Sequence, residues 1–225
     1  SPALKRESLI KSLNYISHLN LNSFSQFEQF KDVFQSSQTD VSLGLRVNPM
    51  FSSVKTACYN PCMPKSRFGV CKDQFTMKSF KAFEGLHVHA MCEQLDDALV
   101  ALVEAIESQF SEALKHARWL NLGGGQLLCS DKFDRAVLIQ VINHLRSKYD
   151  LEVYIEPGEG IVSKTGYLEC SVVDIIFNDG AVAILDASAA NHAPDSLEMP
   201  YRIHIKGSGL PGKKPYLYRL GGPTC

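Results

Sequence analysis

Two periodicities alternate along this chain. Residues 15–21 form a short apolar run, and 23–34 carry Phe24, Phe27, Phe30 and Phe34 at helical spacing, an aromatic stripe that reads as core. Residues 41–47 read as a strand stopped by Asn48-Pro49, because the residue before a proline leaves the helical region. Residues 85–89 read as another short strand. The clearest helix spans 94–116, where Ala98, Leu99, Leu102, Val103, Ile106, Phe110, Ala113 and Leu114 make one apolar stripe. A strand at 119–122 runs into Gly123-Gly124-Gly125. Asp131 is expected to cap a helix that continues to about Tyr149, and 151–155 is a strand ending in Glu156-Pro157-Gly158.

Strands alternating with helices through short connections predict βαβ units and a parallel sheet. From about Gly166 the texture changes. Residues 167–177 and 181–186 flank Asn178-Asp179-Gly180, a hairpin turn signal, and 201–206 alternate as a strand would. The expected organisation is therefore a (β/α)-type domain over 1–165 and an antiparallel β domain over 166–225.

Composition narrows the partners. The chain has 225 residues, 45% hydrophobic and 21% charged, with a formal net charge of −1. That balance gives no bulk attraction to nucleic acid or to an anionic membrane. No apolar run approaches the roughly 20 residues needed to span a bilayer, and the first residues lack the apolar core of a secretory leader. The seven cysteines, Cys58, Cys62, Cys71, Cys92, Cys129, Cys170 and Cys225, are odd in number and widely spread, which reads as reduced cytoplasmic thiols. Cys58 and Cys62 with His87 and His89 raise the question of zinc, but the spacing is not that of a finger, and no metal site is expected.

Functional residues of (β/α) barrels gather at the C-terminal ends of the strands. Arg46, His87, His89, Gly123–Gly125 and Glu156 all fall at such ends. Successive glycines let backbone amides wrap closely around an anion such as a phosphate, although a triple glycine is equally a sharp turn. Glu156 is placed to ion-pair with a heterocyclic nitrogen or to cap a turn. Arg46, inside an apolar strand, calls for an anionic partner, because burying an unpaired charge is costly.

Six ordered blocks carry a resemblance: Gly44-Leu45-Arg46-Val47-Asn48-Pro49, Ser66-Arg67-Phe68-Gly69, Gly85-Leu86-His87-Val88-His89, Leu122-Gly123-Gly124-Gly125, Glu156-Pro157-Gly158 and Gly222-Pro223-Thr224-Cys225. They resemble the fold-type III pyridoxal-phosphate enzymes, which include alanine racemase and the ornithine, diaminopimelate and carboxynorspermidine decarboxylases. Within that family, Tyr59-Asn60-Pro61-Cys62, His89-Ala90-Met91-Cys92-Glu93, Glu156-Pro157-Gly158-Glu159 and Asn191-His192-Ala193-Pro194-Asp195 look like the carboxynorspermidine branch. Other branches usually carry arginine where Glu159 stands.

The resemblance implies an alanine-racemase-type (β/α)8 barrel, incomplete in this chain, followed by the start of a β-sandwich domain. It implies pyridoxal 5'-phosphate as cofactor and decarboxylation of carboxynorspermidine or carboxyspermidine in polyamine biosynthesis. Glu156 would keep the pyridine nitrogen protonated, His89 would stack on the ring, Gly123, Gly124 and Gly125 would bind the phosphate, and Arg46 would lie on the phenolate side. Glu159 and Asp195 would meet cationic amines of the substrate. Cys225 would reach into a partner's site across a homodimer, giving shared active sites. The lysine that carries the cofactor in this family lies well upstream of the block beginning at Gly44. Only 43 residues precede Gly44 here, and Lys5 opens a helix, so the first barrel strands and most of the C-terminal domain are expected to lie outside this sequence. A diaminopimelate- or ornithine-type amino-acid decarboxylase and a non-catalytic cofactor-binding protein stand as alternatives.

Overall fold

The structure is a computed structural model that describes residues 1–37 and 40–224. The chain divides into two compact units, Ser1–Ser163 and a second beginning at Lys164.

In the first unit, α1 (Arg6–Ser12) precedes β1 (His18–Leu21), α2 (Phe24–Ser36) and β2 (Ser42–Asn48). Then come β3 (Val70–Cys71), α3 (Met77–Phe80), β4 (Gly85–His87), α4 (Asp96–His116) and β5 (Trp119–Asn121). The unit closes with α5 (Arg135–Tyr149), β6 (Glu152–Tyr154) and α6 (Gly158–Val162). The strands pair in parallel in the order β1-β2-β4-β5-β6, with β3 pairing β2. Each parallel step needs a crossover, and α2, α4 and α5 provide crossovers from β1 to β2, β4 to β5 and β5 to β6.

Side chains alternate between the faces of a strand, so register fixes which residues face together. Leu45, Val47, Leu86, Val88, Leu120 and Leu122 take one face and lie in a buried core with α4 and α5. All eight apolar positions read from the sequence in α4 are buried. Full burial of one such side chain is worth about 1.5–3 kcal/mol, so this stripe alone secures the helix to the sheet. Phe30 is fully buried, while Phe24, Phe27 and Phe34 are partly buried and pack against the core.

The opposite face is built in layers. Gly44, Gly85 and Trp119 are direct neighbours in register across β2, β4 and β5. A Cβ at Gly44 or Gly85 would lie 2.2 or 2.1 Å from the Trp119 ring, so both positions must be glycine for the indole to lie across them. The indole Nε1 donates to Ser42 Oγ at 2.8 Å, which fixes the ring in that slot.

Two local expectations change. The N-cap of α5 is Asp134, whose carboxylate accepts the Ala136 amide at 2.8 Å, and not Asp131. Phe133 is buried and anchors the turn, and the Asp134 amide is itself held by Asp96, so the helix can start only after them. In the second unit, β7 (Val172–Phe177) and β8 (Ala181–Leu185) form the expected hairpin, and α7 (Ala189–His192), α8 (Asp195–Glu198) and β9 (Tyr218–Gly221) follow, with β9 parallel to β8. Residues 201–206 are not a strand. Alternation gives a strand only where a partner edge accepts its ladder, and the three-stranded order β7-β8-β9 leaves these residues outside it. This unit contains one three-stranded sheet among the described residues.

Candidate functional site

Above the glycine–tryptophan layer, the same register lines up Arg46, His87, Asn121 and Tyr154 across β2, β4, β5 and β6. Two residues further along the strands come His89, Gly123 and Glu156, with the Glu156 amide donating to the Gly123 carbonyl at 2.8 Å. The polar residues therefore share one face at the C-terminal ends of parallel strands, while the leucines and valines between them face the helices. Period-two alternation is what sorts them.

Glu156 is the centre of the cluster. Its Oε1 accepts a hydrogen bond from Asn121 Nδ2 at 2.9 Å and lies 3.6 Å from His87 Nε2, and its Oε2 lies 3.4 Å from His89 Nδ1. His89 holds the carboxyl down to about 2, with His87 and the Asn121 amide adding to the effect against the opposing pull of burial. Glu156 is thus a carboxylate at neutral pH. His87 is its opposite: burial pushes this imidazole down to about 4, and Arg46 and His89 act the same way against the attraction of Glu156. Among the described residues, neither buried ring nitrogen of His87 has a hydrogen-bond partner.

The glycine turn is tight on every side. Gly123 and Gly125 have φ of +67° and +90°, which L side chains rarely adopt. A Cβ at Gly123 would meet the His89 ring at 2.7 Å, one at Gly124 the Glu156 carbonyl oxygen at 2.5 Å, and one at Gly125 the Met91 carbonyl oxygen at 2.3 Å. The turn therefore packs directly against both the histidine strand and the carboxylate strand. Arg46 differs from expectation: its guanidinium donates to the His89 carbonyl at 3.2 Å and stacks 4.4 Å over the Phe68 ring. It has no carboxylate within ion-pair distance among the described residues, so its charge is left available to an anionic ligand.

Other expected site residues fall elsewhere. Glu159 is exposed in the first turn of α6, where it accepts a long contact from Cys129 Sγ at 3.8 Å. Asp195 is exposed at the start of α8 in the second unit. Cys225 lies outside the described residues. Among the described residues the group with a ligating make-up is His87, His89 and Glu156, whose donor atoms lie within 4.8 Å of one another, and neither Cys58 nor Cys62 is part of it.

Of the cluster, Asn121 was not singled out from the sequence, and His87 was placed at a strand end without being given a role. His87 had a usable signal, since His-Val-His on one strand puts both rings on the same face. Asn121 had a weaker one, its place two residues before the first glycine, where an asparagine side chain can accept the turn's amide.

The donor set suits a phosphorylated pyridine. Backbone amides free of side chains stand beside a fixed carboxylate, with an imidazole and an uncompensated guanidinium at the same edge. The class follows from the fold: this is the α/β barrel fold of the alanine-racemase-type decarboxylases, present here in part. Throughout its length the chain is homologous to carboxynorspermidine decarboxylases. It is 35% identical over 236 residues to the carboxynorspermidine/carboxyspermidine decarboxylase of Campylobacter jejuni, a match that takes in 100% of this chain and 61% of that protein. It is 36% identical over 227 residues to the carboxyaminopropylagmatine decarboxylase of a Synechocystis strain, covering 100% of this chain and 58% of the relative. A solved structure of carboxynorspermidine decarboxylase from Campylobacter jejuni with norspermidine superposes with a TM-score of 0.83 at 35% identity, over 100% of this chain and 60% of that one. The chain thus spans about three fifths of the length of these relatives. No family model matches it.

A pH dependence follows from His87. Its folded pKa, about 4, lies below its ordinary 6.5, so the unfolded chain binds the extra proton first. Its contribution to stability is complete above about 6.5 and is lost as pH falls through about 4. Glu156 adds a loss of the same sign lower down, between about 4.5 and about 2. The melting temperature should therefore fall between about pH 6.5 and 4, by an amount on the order of 3 kcal/mol in stability at the lower end. His87→Asn should flatten that limb. An unchanged slope in the variant would show that the acid sensitivity comes from other groups.

Proposed function

We propose that the full-length protein is a pyridoxal-phosphate-dependent decarboxylase acting on a carboxylated polyamine, carboxynorspermidine or carboxyspermidine, in polyamine biosynthesis. The observation that carries this is the ionised Glu156 carboxylate fixed against the glycine turn at the C-terminal end of a parallel sheet. When bound, pyridoxal phosphate supplies an electron sink for the charge left as carbon dioxide departs.

Each residue then has a physical task. Gly123, Gly124 and Gly125 form the phosphate turn, the amides of Gly124 and Gly125 facing the phosphate with no Cβ to obstruct them while the Gly123 amide is held by Asn121. Glu156 keeps a proton on the pyridine nitrogen, which strengthens the sink. His89 packs on the ring face and shields it from water. Arg46 offers positive charge to the phenolate side. Glu159 and Asp195 take the distal ammonium groups of the substrate by charge-assisted hydrogen bonds. Cys225 completes the site of a partner subunit in a homodimer. Ser1–Ser163 is the cofactor-binding part and the segment from Lys164 opens the C-terminal β domain. The cysteine usage supports a cytoplasmic protein in this reading. No helix among the described residues is long and apolar enough to cross a membrane, and neither a membrane nor a nucleic acid is a partner in this reading.

The likeness to a carboxyaminopropylagmatine decarboxylase supports a second substrate of the same chemistry, cationic at its far end and carboxylated at the reacting carbon. An amino-acid substrate such as diaminopimelate instead carries a second carboxylate there, which Glu159 would repel. Carbon dioxide release by the full-length protein tests the reading. Turnover of carboxynorspermidine, carboxyspermidine or carboxyaminopropylagmatine is expected, with at least about tenfold preference over diaminopimelate, the factor that about 1.4 kcal/mol represents. Efficient turnover of diaminopimelate would overturn the polyamine assignment.

A further inference from the structure

Asn121 stands between the glycine turn and Glu156 and touches both. Its Oδ1 accepts the Gly123 amide at 2.8 Å, and its Nδ2 donates to Glu156 Oε1 at 2.9 Å. The orientation of this side-chain amide is fixed by chemistry. A backbone N–H needs an acceptor, so Oδ1 must face Gly123, and that turns the two donor hydrogens toward the carboxylate. The bond to Glu156 is shorter than either histidine contact at 3.4 and 3.6 Å. Gly123 is held from its other side as well, since its carbonyl accepts the Glu156 amide at 2.8 Å and Gln126 Nε2 at 3.2 Å.

We infer that Asn121 is a positioning residue that locks the Glu156 carboxylate to the glycine turn and so fixes the spacing between the carboxylate and the phosphate cradle. The inference rests on the cofactor reading above and adds a residue to it. Its physical basis is that a glutamate this exposed, 43% at the side chain, would otherwise sample several rotamers. A bound ring needs carboxylate and cradle at one separation, because the ring nitrogen and the phosphate are parts of a single rigid molecule. One side chain bonded to both delivers that separation before binding.

The two arms can be separated in the full-length protein. Asn121→Ser keeps a hydroxyl that accepts the amide two residues on, as serine does in such turns, but cannot reach Glu156. Asn121→Thr makes the same turn and suits a strand better, and it replaces the serine variant should that fail to fold. Each is made alone and together with Glu156→Gln. Two quantities are read: the dissociation constant for pyridoxal phosphate by equilibrium dialysis, and the nitrogen-15 shift of the ring nitrogen in labelled cofactor. In the presence of Glu156, Asn121→Ser is expected to weaken binding by at least about tenfold, the scale of one hydrogen bond to a charged group. It should also move the ring nitrogen toward its neutral shift. On the Glu156→Gln background the same change should cost less than about threefold, because two residues that act as a unit are not additive. Equal losses on both backgrounds would overturn the inference, since Asn121 would then serve the turn alone. Unchanged binding and ring-nitrogen shift would overturn it as well. A wild-type protein that does not bind pyridoxal phosphate would overturn the cofactor reading, and this inference with it, an outcome distinct from the other two.

Discussion

Glu156→Gln is expected to lower turnover of the full-length protein by at least about 100-fold, the scale for removing one preorganised electrostatic group. Glutamine has the same shape, so the turn behind it survives, although its bond to the Asn121 amide loses the charge that strengthens it. Glu156 is held at about 2, chiefly by His89, so the wild-type group is a carboxylate at any pH at which the protein works. A neutral amide cannot stabilise a proton on a pyridine nitrogen. The loss should therefore appear in kcat at saturating cofactor, with the circular dichroism spectrum unchanged. Turnover within about threefold of wild type would remove Glu156 from the electron-sink role.

Gly125→Ala should be nearly as damaging and for a steric reason. At φ +90° an L side chain is strained, and the added Cβ would stand 2.3 Å from the Met91 carbonyl oxygen. A backbone atom cannot swing aside as a flexible side chain would, so the Met91–Cys92 segment or the turn must shift. Strained backbone alone costs about 1–3 kcal/mol. Affinity for pyridoxal phosphate should fall by at least about 100-fold, equivalent to about 2.7 kcal/mol. Gly166→Ala is the control, because a Cβ there meets nothing within 4 Å. Equal cofactor affinity in the two variants would mean that the turn does not cradle the phosphate.

What could be read from the sequence was whatever a local pattern determines. The eight-residue stripe of α4 is periodic enough to name each buried position, and all eight are buried. The clustering of Arg46, His89, Gly123–Gly125 and Glu156 followed from strand ends alone, because parallel strands bring their C-terminal ends to one edge. Features that depend on register across strands were not legible. Gly44 and Gly85 are glycines because Trp119 lies beside them in the neighbouring register, which no stretch of sequence reveals. Asn121 acts through a residue on the next strand for the same reason. The start of α5 was misplaced by three residues because two aspartates compete to cap it and the burial of Phe133 decides between them. Residues 201–206 had the alternation of a strand without an edge to pair with. Arg46 was expected to meet an anion and meets a carbonyl and an aromatic ring, leaving its charge for a ligand.

The central claim is that one molecule of pyridoxal phosphate bridges the glycine turn and Glu156. A crystal structure of the full-length protein with the cofactor tests it most directly. The phosphate is expected at the Gly123–Gly125 turn on the amides of Gly124 and Gly125, the ring nitrogen within hydrogen-bond distance of the Glu156 carboxylate, and His89 against the ring face. A cofactor bound elsewhere, or bound here with its ring nitrogen turned away from Glu156, would contradict the account.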